Sequence, residues 1–299
     1  MLIAGSAAAF AITERLKLEK TPITKPKFTK VFSPQSEDLA HATADIKFVL
    51  RKPDRLTVEV VNGDQVVTTL ANDVRLRKGK HEFHWDGRDA AGQPVPAGSY
   101  KVRVHLARAH RTIVIPNEIK VDLTRPVIAL VGVRPRTISP DHDGRAEFAQ
   151  IHFRVDEAAR ALLFVDGHRA GKGRLERRAG KLNWFGKLDG KPLRPGIYTL
   201  TLQAEDRAGN ISTASRAERV RVRYVALPAK VIHVRAGRRF HVRVETDAER
   251  VSWRLAGRER VVEGRVLRLR SPRTRGRYTL FVTANDHSTS ATVVVRPHS

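Results

Sequence analysis

The chain has 299 residues, of which 41% are hydrophobic and 6% aromatic, with no cysteine and a formal net charge of +25. Lack of cysteine excludes disulfides and thiolate metal sites, and so few aromatics suit several small cores better than one large one. The charge would draw polyanions such as nucleic acid, anionic glycans, wall phosphate polymers or acidic lipid headgroups. Yet 40 of the 56 basic residues are arginine, and the charge is spread as +7, +8 and +10 over 1–125, 126–225 and 226–299. An arginine-rich background from GC-rich coding explains that pattern. A dedicated nucleic-acid binder, which concentrates its charge on one face, is the less expected class.

In chain order, residues 2–12 are apolar and give way to Arg15, Lys17 and Lys20. The run is too short to span a bilayer, which takes about 20 residues. Its length and the small-x-small Ala9-Phe10-Ala11 suit the core of an export signal. Residues 1–25 are therefore expected to be a truncated signal or signal anchor with a basic spacer, which could hold the chain at a membrane.

From residue 26 onward the period is two. Ile46, Phe48 and Leu50 alternate with polar residues, as do Leu56, Val58 and Val60, then Tyr100, Val102, Val104 and Leu106. Ile151, Phe153 and Val155 follow, then Tyr198, Leu200, Leu202 and Ala204. The last third repeats the pattern with Phe240, Val242 and Val244, with Val251, Trp253 and Leu255, and with Tyr278, Leu280, Val282 and Ala284. Such alternation describes strands with one buried and one wet face. Many short strands between Gly, Pro, Asn and Asp turns predict β-sandwiches.

One corner recurs. Trp85, Asp86 and Gly87 open a turn-rich stretch that ends at Gly98 and Tyr100. Trp184 opens a second one that ends at Gly196 and Tyr198, and Gly276 and Tyr278 close a third that lacks the tryptophan. The spacing between the tyrosines is that of immunoglobulin-sized repeats. We expect Trp85 and Trp184 to plug the mouths of two cores. The fold class is thus all-β, with three tandem immunoglobulin-like sandwiches over 26–124, 125–226 and 227–299.

The segment "LTVEVVNGDQVVTTL…HEFHWDGRDAAGQPVPAGSYKVRV" closely resembles the Ig-like domain of the bacterial flagellar hook-capping protein (FlgD-type), over residues 43–106. From Pro126, "VDLTRPVI", "ISPDHDG" and "AEDRAGN" resemble the same group and the Ig repeats of bacterial surface proteins. The resemblance implies the fold and carries no hook-capping role.

Chemistry is sparse. Asp141, Asp143 and Glu147 around Gly144 have the spacing of oxygen ligands for Ca²⁺, the one cofactor the sequence suggests. The other reading is a turn in which the two aspartates cap backbone N–H groups. Asp86 and Asp89 belong to the turn motif, and His81 and His84 lie on opposite faces of one strand. Neither an H-E-x-x-H pattern nor a Gly-x-Ser-x-Gly elbow is present. The densest basic runs are 171–181 and 268–277. The second, with Arg268, Arg270, Arg273, Arg275 and Arg277, is the candidate polyanion contact, although no aromatic stacking platform is interleaved with it.

The expectation is a non-enzymatic, exported or membrane-anchored structural or adhesion protein of the bacterial envelope. Its partner would be an anionic wall polymer or an envelope protein. The alternatives are an accessory scaffold for an enzyme or a secretion or flagellar-type assembly, and, last, a charge-driven nucleic-acid binder. The sequence does not fix an oligomeric state.

Overall fold

The structure is a computed structural model that describes residues 21–297, so the signal-like segment lies almost entirely outside the described residues. The described residues form strands, with one four-residue helix among them. No helix among the described residues is long and apolar enough to cross a membrane. The backbone divides into two compact units. One comprises Met1–Arg125 with Asp206–Ile211, and the other Pro126–Glu205 with Ser212–Ser299.

The first unit holds β1 (Ile23–Phe28), β2 (Val31–Phe32), α1 (Leu39–Ala42), β3 (Ala44–Leu50), β4 (Asp54–Asn62), β5 (Gln65–Leu76), β6 (Gly79–Trp85), β7 (Gly98–Leu106) and β8 (Arg111–Val121). Two sheets, β1-β3-β6 and β2-β8-β7-β4-β5, close over one core. The alternating residues supply it: Ile46, Phe48 and Leu50 face Leu56, Val58, Val60, Val102, Val104 and Leu106, all buried. β2 pairs parallel to β8 while β1 pairs with β3, so the chain's opening strand switches sheets. This is an immunoglobulin-like sandwich.

The second unit carries two further cores. β9 (Ile128–Arg134), β11 (Ala149–Val155) and β14 (Ala179–Trp184) form one sheet. It faces the sheet formed by β10 (Thr137–Ile138), β12 (Ala159–Val165), β13 (His168–Glu176), β17 (Gly196–Glu205) and β18 (Glu218–Val222), with a small hairpin, β15 (Lys187–Leu188) and β16 (Lys191–Pro192), at the corner. The last core lies between a five-stranded and a two-stranded sheet. The five are β19 (Val231–Arg235), β21 (Arg250–Leu255), β22 (Arg258–Glu263), β24 (Gly276–Ala284) and β25 (His287–Arg296), and the two are β20 (Arg239–Arg243) and β23 (Val266–Arg270). This core takes in Val225 and Leu227, so it starts just ahead of the expected boundary at 227.

Each corner carries the chain from one sheet to the other, and its tyrosine closes it. Tyr100, Tyr198 and Tyr278 each donate the hydroxyl hydrogen to the carbonyl four residues earlier, on Pro96, Arg194 and Thr274, at 2.8, 2.8 and 3.0 Å. Trp85 and Trp184 end β6 and β14, buried, with Nε1 donating to the carbonyls of Arg88 and Lys187. Their rings meet the tyrosines edge-on at 5.0 and 6.0 Å, a favourable geometry for aromatic pairs.

Two residues past each tryptophan, a glycine at positive φ lets the backbone press against a proline. A Cβ on Gly87 (φ +72°) would sit 2.2 Å from Pro34 Cγ, and one on Gly186 (φ +62°) 3.0 Å from Pro140 Cγ. Gly92, also at positive φ, has open space around it. Gly87→Ala should therefore destabilise the first core by about 2–4 kcal/mol, from left-handed strain plus overpacking. Gly92→Ala should cost only about 1 kcal/mol, from strain alone. Hydrogen-exchange protection of the β3 and β6 amides measures both, and equal losses would refute the role of the Pro34 contact.

Candidate functional site

The turn residues serve the backbone. Asp86 Oδ1 accepts from the Arg88 N–H at 3.1 Å, and Asp89 Oδ1 from those of Ala91 and Gln93 at 2.9 and 2.8 Å. Beside them on the exposed face of β3 and β6, Asp45, Glu82 and His84 form an acidic cluster that Lys47 neutralises. Lys47 Nζ lies 3.1 Å from Asp45 and 2.7 Å from Glu82, and His84 Nδ1 is 2.9 Å from Asp45. The hydrogen bond from Lys47 holds the Asp45 carboxyl below its ordinary value against the opposing effect of burial, with His84 adding to the lowering. A cation already fills this cluster.

The two basic runs differ. Residues 171–181 run from β13 across to β14, strands of opposite sheets, and Lys172 pairs with Glu205 at 2.5 Å. In the last core, Leu267 and Leu269 face inward and Arg268 and Arg270 outward. β20 pairs antiparallel with β23, setting Arg239 opposite Arg270 and His241 opposite Arg268. Arg239, His241 and Arg243 are exposed on the same face. None of these five has an acidic partner among the described residues, and Arg270 Nε donates only to the Gly237 carbonyl, at 2.9 Å.

The sequence reading grouped Arg273, Arg275 and Arg277 with this face, and the structure separates them. β23 stops at Arg270, so Arg273 and Arg275 lie in the loop beyond Ser271-Pro272, and Arg277 lies on β24 in the opposite sheet. Their place is taken by Arg239, His241 and Arg243. The signal was present in the wet half of the alternation whose dry half is Phe240, Val242 and Val244.

The Asp141 loop also departs from expectation. Asp143 Oδ1 caps the Arg145 N–H at 2.8 Å, as the turn reading has it. Glu147 bends back to accept from the Gly144 N–H at 2.9 Å, which turns it into a loop brace. The third carboxylate beside Asp141 and Asp143 is Asp247, from the loop between β20 and β21. More than a hundred residues separate it from them, beyond the reach of any local spacing rule. Burial pushes the Asp247 carboxyl up, and the nearby Asp141 and Asp143 charges push the same way.

Comparison with known proteins supports the fold. Residues 36–110 match the FlgD Ig-like domain. That span runs from ahead of α1 to the β7–β8 turn and includes the Trp85–Tyr100 corner, so the FlgD Ig-like segment is the first sandwich without its opening and closing strands. No curated protein matches the sequence. Among solved structures, the fibronectin(III)-like modules of Clostridium thermocellum CbhA share 18% identity over 67% of this chain and 91% of theirs, with a TM-score of 0.34. The I9–I11 tandem of titin shares 13% over 92% of this chain and 99% of its own, with a TM-score of 0.33. A C-terminal fragment of intimin, solved with the intimin-binding domain of its translocated receptor, shares 9% over 71% and 69%, with a TM-score of 0.33. At these identities and TM-scores the three structures carry no argument about what this chain does.

The Asp45 cluster gives a signed pH dependence. Because its folded pKa lies below the ordinary 3.8, Asp45 contributes stability that is present above that value and lost as pH falls through the folded one. Asp45→Asn should therefore lower the urea midpoint of the first core slightly at about pH 6, with the difference from wild type shrinking as pH falls below 3.8. A gap that persists at low pH would mean the carboxylate's charge is not what matters.

Proposed function

We propose that this is a non-enzymatic immunoglobulin-like array of the bacterial cell envelope that holds an anionic polymer on the arginine face of β20 and β23. The observation that carries the reading is the register of those two strands. Basic residues directly opposite one another across a ladder repel, at a cost of a few tenths to about 1 kcal/mol per pair. Five on one face with no acid among them form a surface that an anion would relieve. Arginine suits the task, since its planar fork meets phosphate and carboxylate oxygens in pairs.

Where the acids of this core do go supports the same reading. Glu245 pairs with Arg223 at 2.9 Å and Glu249 with Arg145, both arginines from outside β20 and β23. An even arginine background does not account for a face cleared of acids. The side chains in turns and clusters cap backbone or pair with one another, and the reading assigns no reaction to them. Export rests on the signal-like residues 2–12, which suit the envelope as the site of action.

The test is co-sedimentation of the chain with purified cell envelopes, and binding to a glycerol-phosphate polymer, across a salt series with DNA as competitor. Arg268→Glu with Arg270→Glu should weaken binding and lower the log–log salt slope by about 2, one per lost phosphate contact. Arg177→Glu with Arg178→Glu, on the other basic run, should change it little. Equal losses from the two pairs would reduce the attraction to net charge, and transfer of the protein to DNA would favour a generic polyanion binder.

A further inference from the structure

Three carboxylates meet within the second unit at the junction of its two cores. Asp141 and Asp143 come from the loop after β10 and Asp247 from the loop between β20 and β21, with one oxygen from each lying within 4.8 Å of the others. Proximity of acids alone says little, because exposed carboxylates often cluster. What sets this group apart is burial without partners. Both oxygens of Asp247 and Oδ1 of Asp141 expose less than 1 Å² each and make no hydrogen bond.

The neighbouring donors are already spent, and they satisfy the outer oxygens. Asn285 Nδ2 donates to Oδ2 of Asp141 at 3.0 Å and to Oδ2 of Asp143 at 3.1 Å. The Ser139 hydroxyl donates to the same Asp141 oxygen at 3.1 Å. The Arg145 guanidinium reaches the Asp247 carbonyl at 3.3 Å and the Glu249 carboxylate, and makes no bond to the Asp247 carboxylate. A buried carboxylate without a counter-charge is among the costliest groups a fold can keep. Asp247 keeps both oxygens covered and unpaired with Asp141 Oδ1 in the same state, and the exposed Asp143 beside them adds a third negative charge.

We infer that Asp141, Asp143 and Asp247 bind one Ca²⁺ ion between the two cores of the second unit. All three donors are carboxylate oxygens, the ligands of hard cations, with no imidazole or thiolate to favour a transition metal. Oxygens around Ca²⁺ at 2.3–2.6 Å can be at most about 5 Å apart, and the observed spacing falls within that limit. Ligands drawn from two separate loops suit the irregular, flexible shell of Ca²⁺ better than the strict octahedron of Mg²⁺. The ion would tie the loop after β10 to the third core, beside contacts that already join the two: His287 stacked on Tyr224, and the Thr246 hydroxyl donating to the Tyr224 carbonyl at 3.0 Å.

The experiment is equilibrium dialysis of the chelator-stripped full chain against Ca²⁺, paired with thermal unfolding at each concentration. Expected are one saturable site per chain, with a Kd on the order of 10⁻⁴–10⁻³ M as for extracellular modules, and a melting temperature that climbs with Ca²⁺. Asp247→Asn should weaken binding by more than about tenfold, the least that losing even an outer-sphere partner costs, and abolish the thermal shift. Without calcium, the same variant should melt no lower than wild type, since it sheds a buried charge. Asp143→Asn, at an exposed position, gives the same binding test with little risk to folding, and Glu147→Gln should bind as wild type does. The assignment fails if wild type shows no saturable binding up to about 10 mM Ca²⁺, or if both aspartate variants fold and bind unchanged.

Discussion

A tyrosine hydroxyl bonded to the carbonyl four residues before it is the contact on which the architecture turns, and it occurs once in each core. The chain must leave one sheet, cross the mouth of the core and enter the middle of the other sheet. A crossing of that kind exposes backbone and threatens to leave buried polar groups unpaired. The tyrosine meets both problems: its ring covers the mouth, and its hydroxyl takes up a carbonyl of the crossing chain. In the first two cores a tryptophan completes the lid and ties the start of the crossing through its own N–H. The last core lacks that tryptophan. Leu267 and Leu269 line the corresponding strand, while Trp253 fills the interior from β21. The corner survives on the tyrosine alone, so the tyrosine is the constraint and the tryptophan its reinforcement.

With the sheets fixed by their corners, charge is free to follow location. In the last core, Glu245, Asp247 and Glu249 gather in one short stretch, and two of them pair with arginines of the preceding core. This leaves the outer face of β20 and β23 to arginine and histidine. Opposite signs are thereby sorted onto separate surfaces of a protein whose net charge is strongly positive.

What the sequence shows, and where it falls silent, follows from the range of each interaction. Alternation is local, and the positions it marks, from Ile46 to Ala284, do form the inward faces, with only Tyr198, Phe240 and Tyr278 less than fully buried. The corners are local as well, with Trp, Gly and Tyr all within 15 residues. Edge strands are less legible. β5 is wet along most of both faces and shows no clean period, although it runs for twelve residues. Pairing between strands is not local at all. Nothing in "RFHVR" and "RVLRLR" announces that the antiparallel register sets Arg239 against Arg270. Counting basic residues along the chain therefore found Arg268 and Arg270, missed the three on β20, and continued past the end of β23 into residues that lie elsewhere. The same limit hid Asp247, and it made Glu147, four residues from Asp143, look like the missing ligand.

The first two cores show how one scaffold can carry different chemistry. Both run Ser-Pro straight after the parallel strand, with the serine N–H bonded across the loop, Ser33 to the His41 carbonyl and Ser139 to that of Ala146. In both, the proline lies against the glycine that follows the tryptophan. Beyond the proline they diverge. In the first loop Ser36 accepts from the Asp38 N–H, and Asp38 caps α1 and pairs with His41, so its polar groups are satisfied within the loop. In the second loop Asp141 and Asp143 approach Asp247, and Asp141 Oδ1 and both Asp247 oxygens stay without partners. The packing that holds the two loops is the same, and the difference is confined to side chains that the core never touches. Binding functions commonly take hold in loops of that kind, mounted on a rigid sandwich. An unmet charge in one copy and its absence in the other argue that the second loop is kept for what it holds.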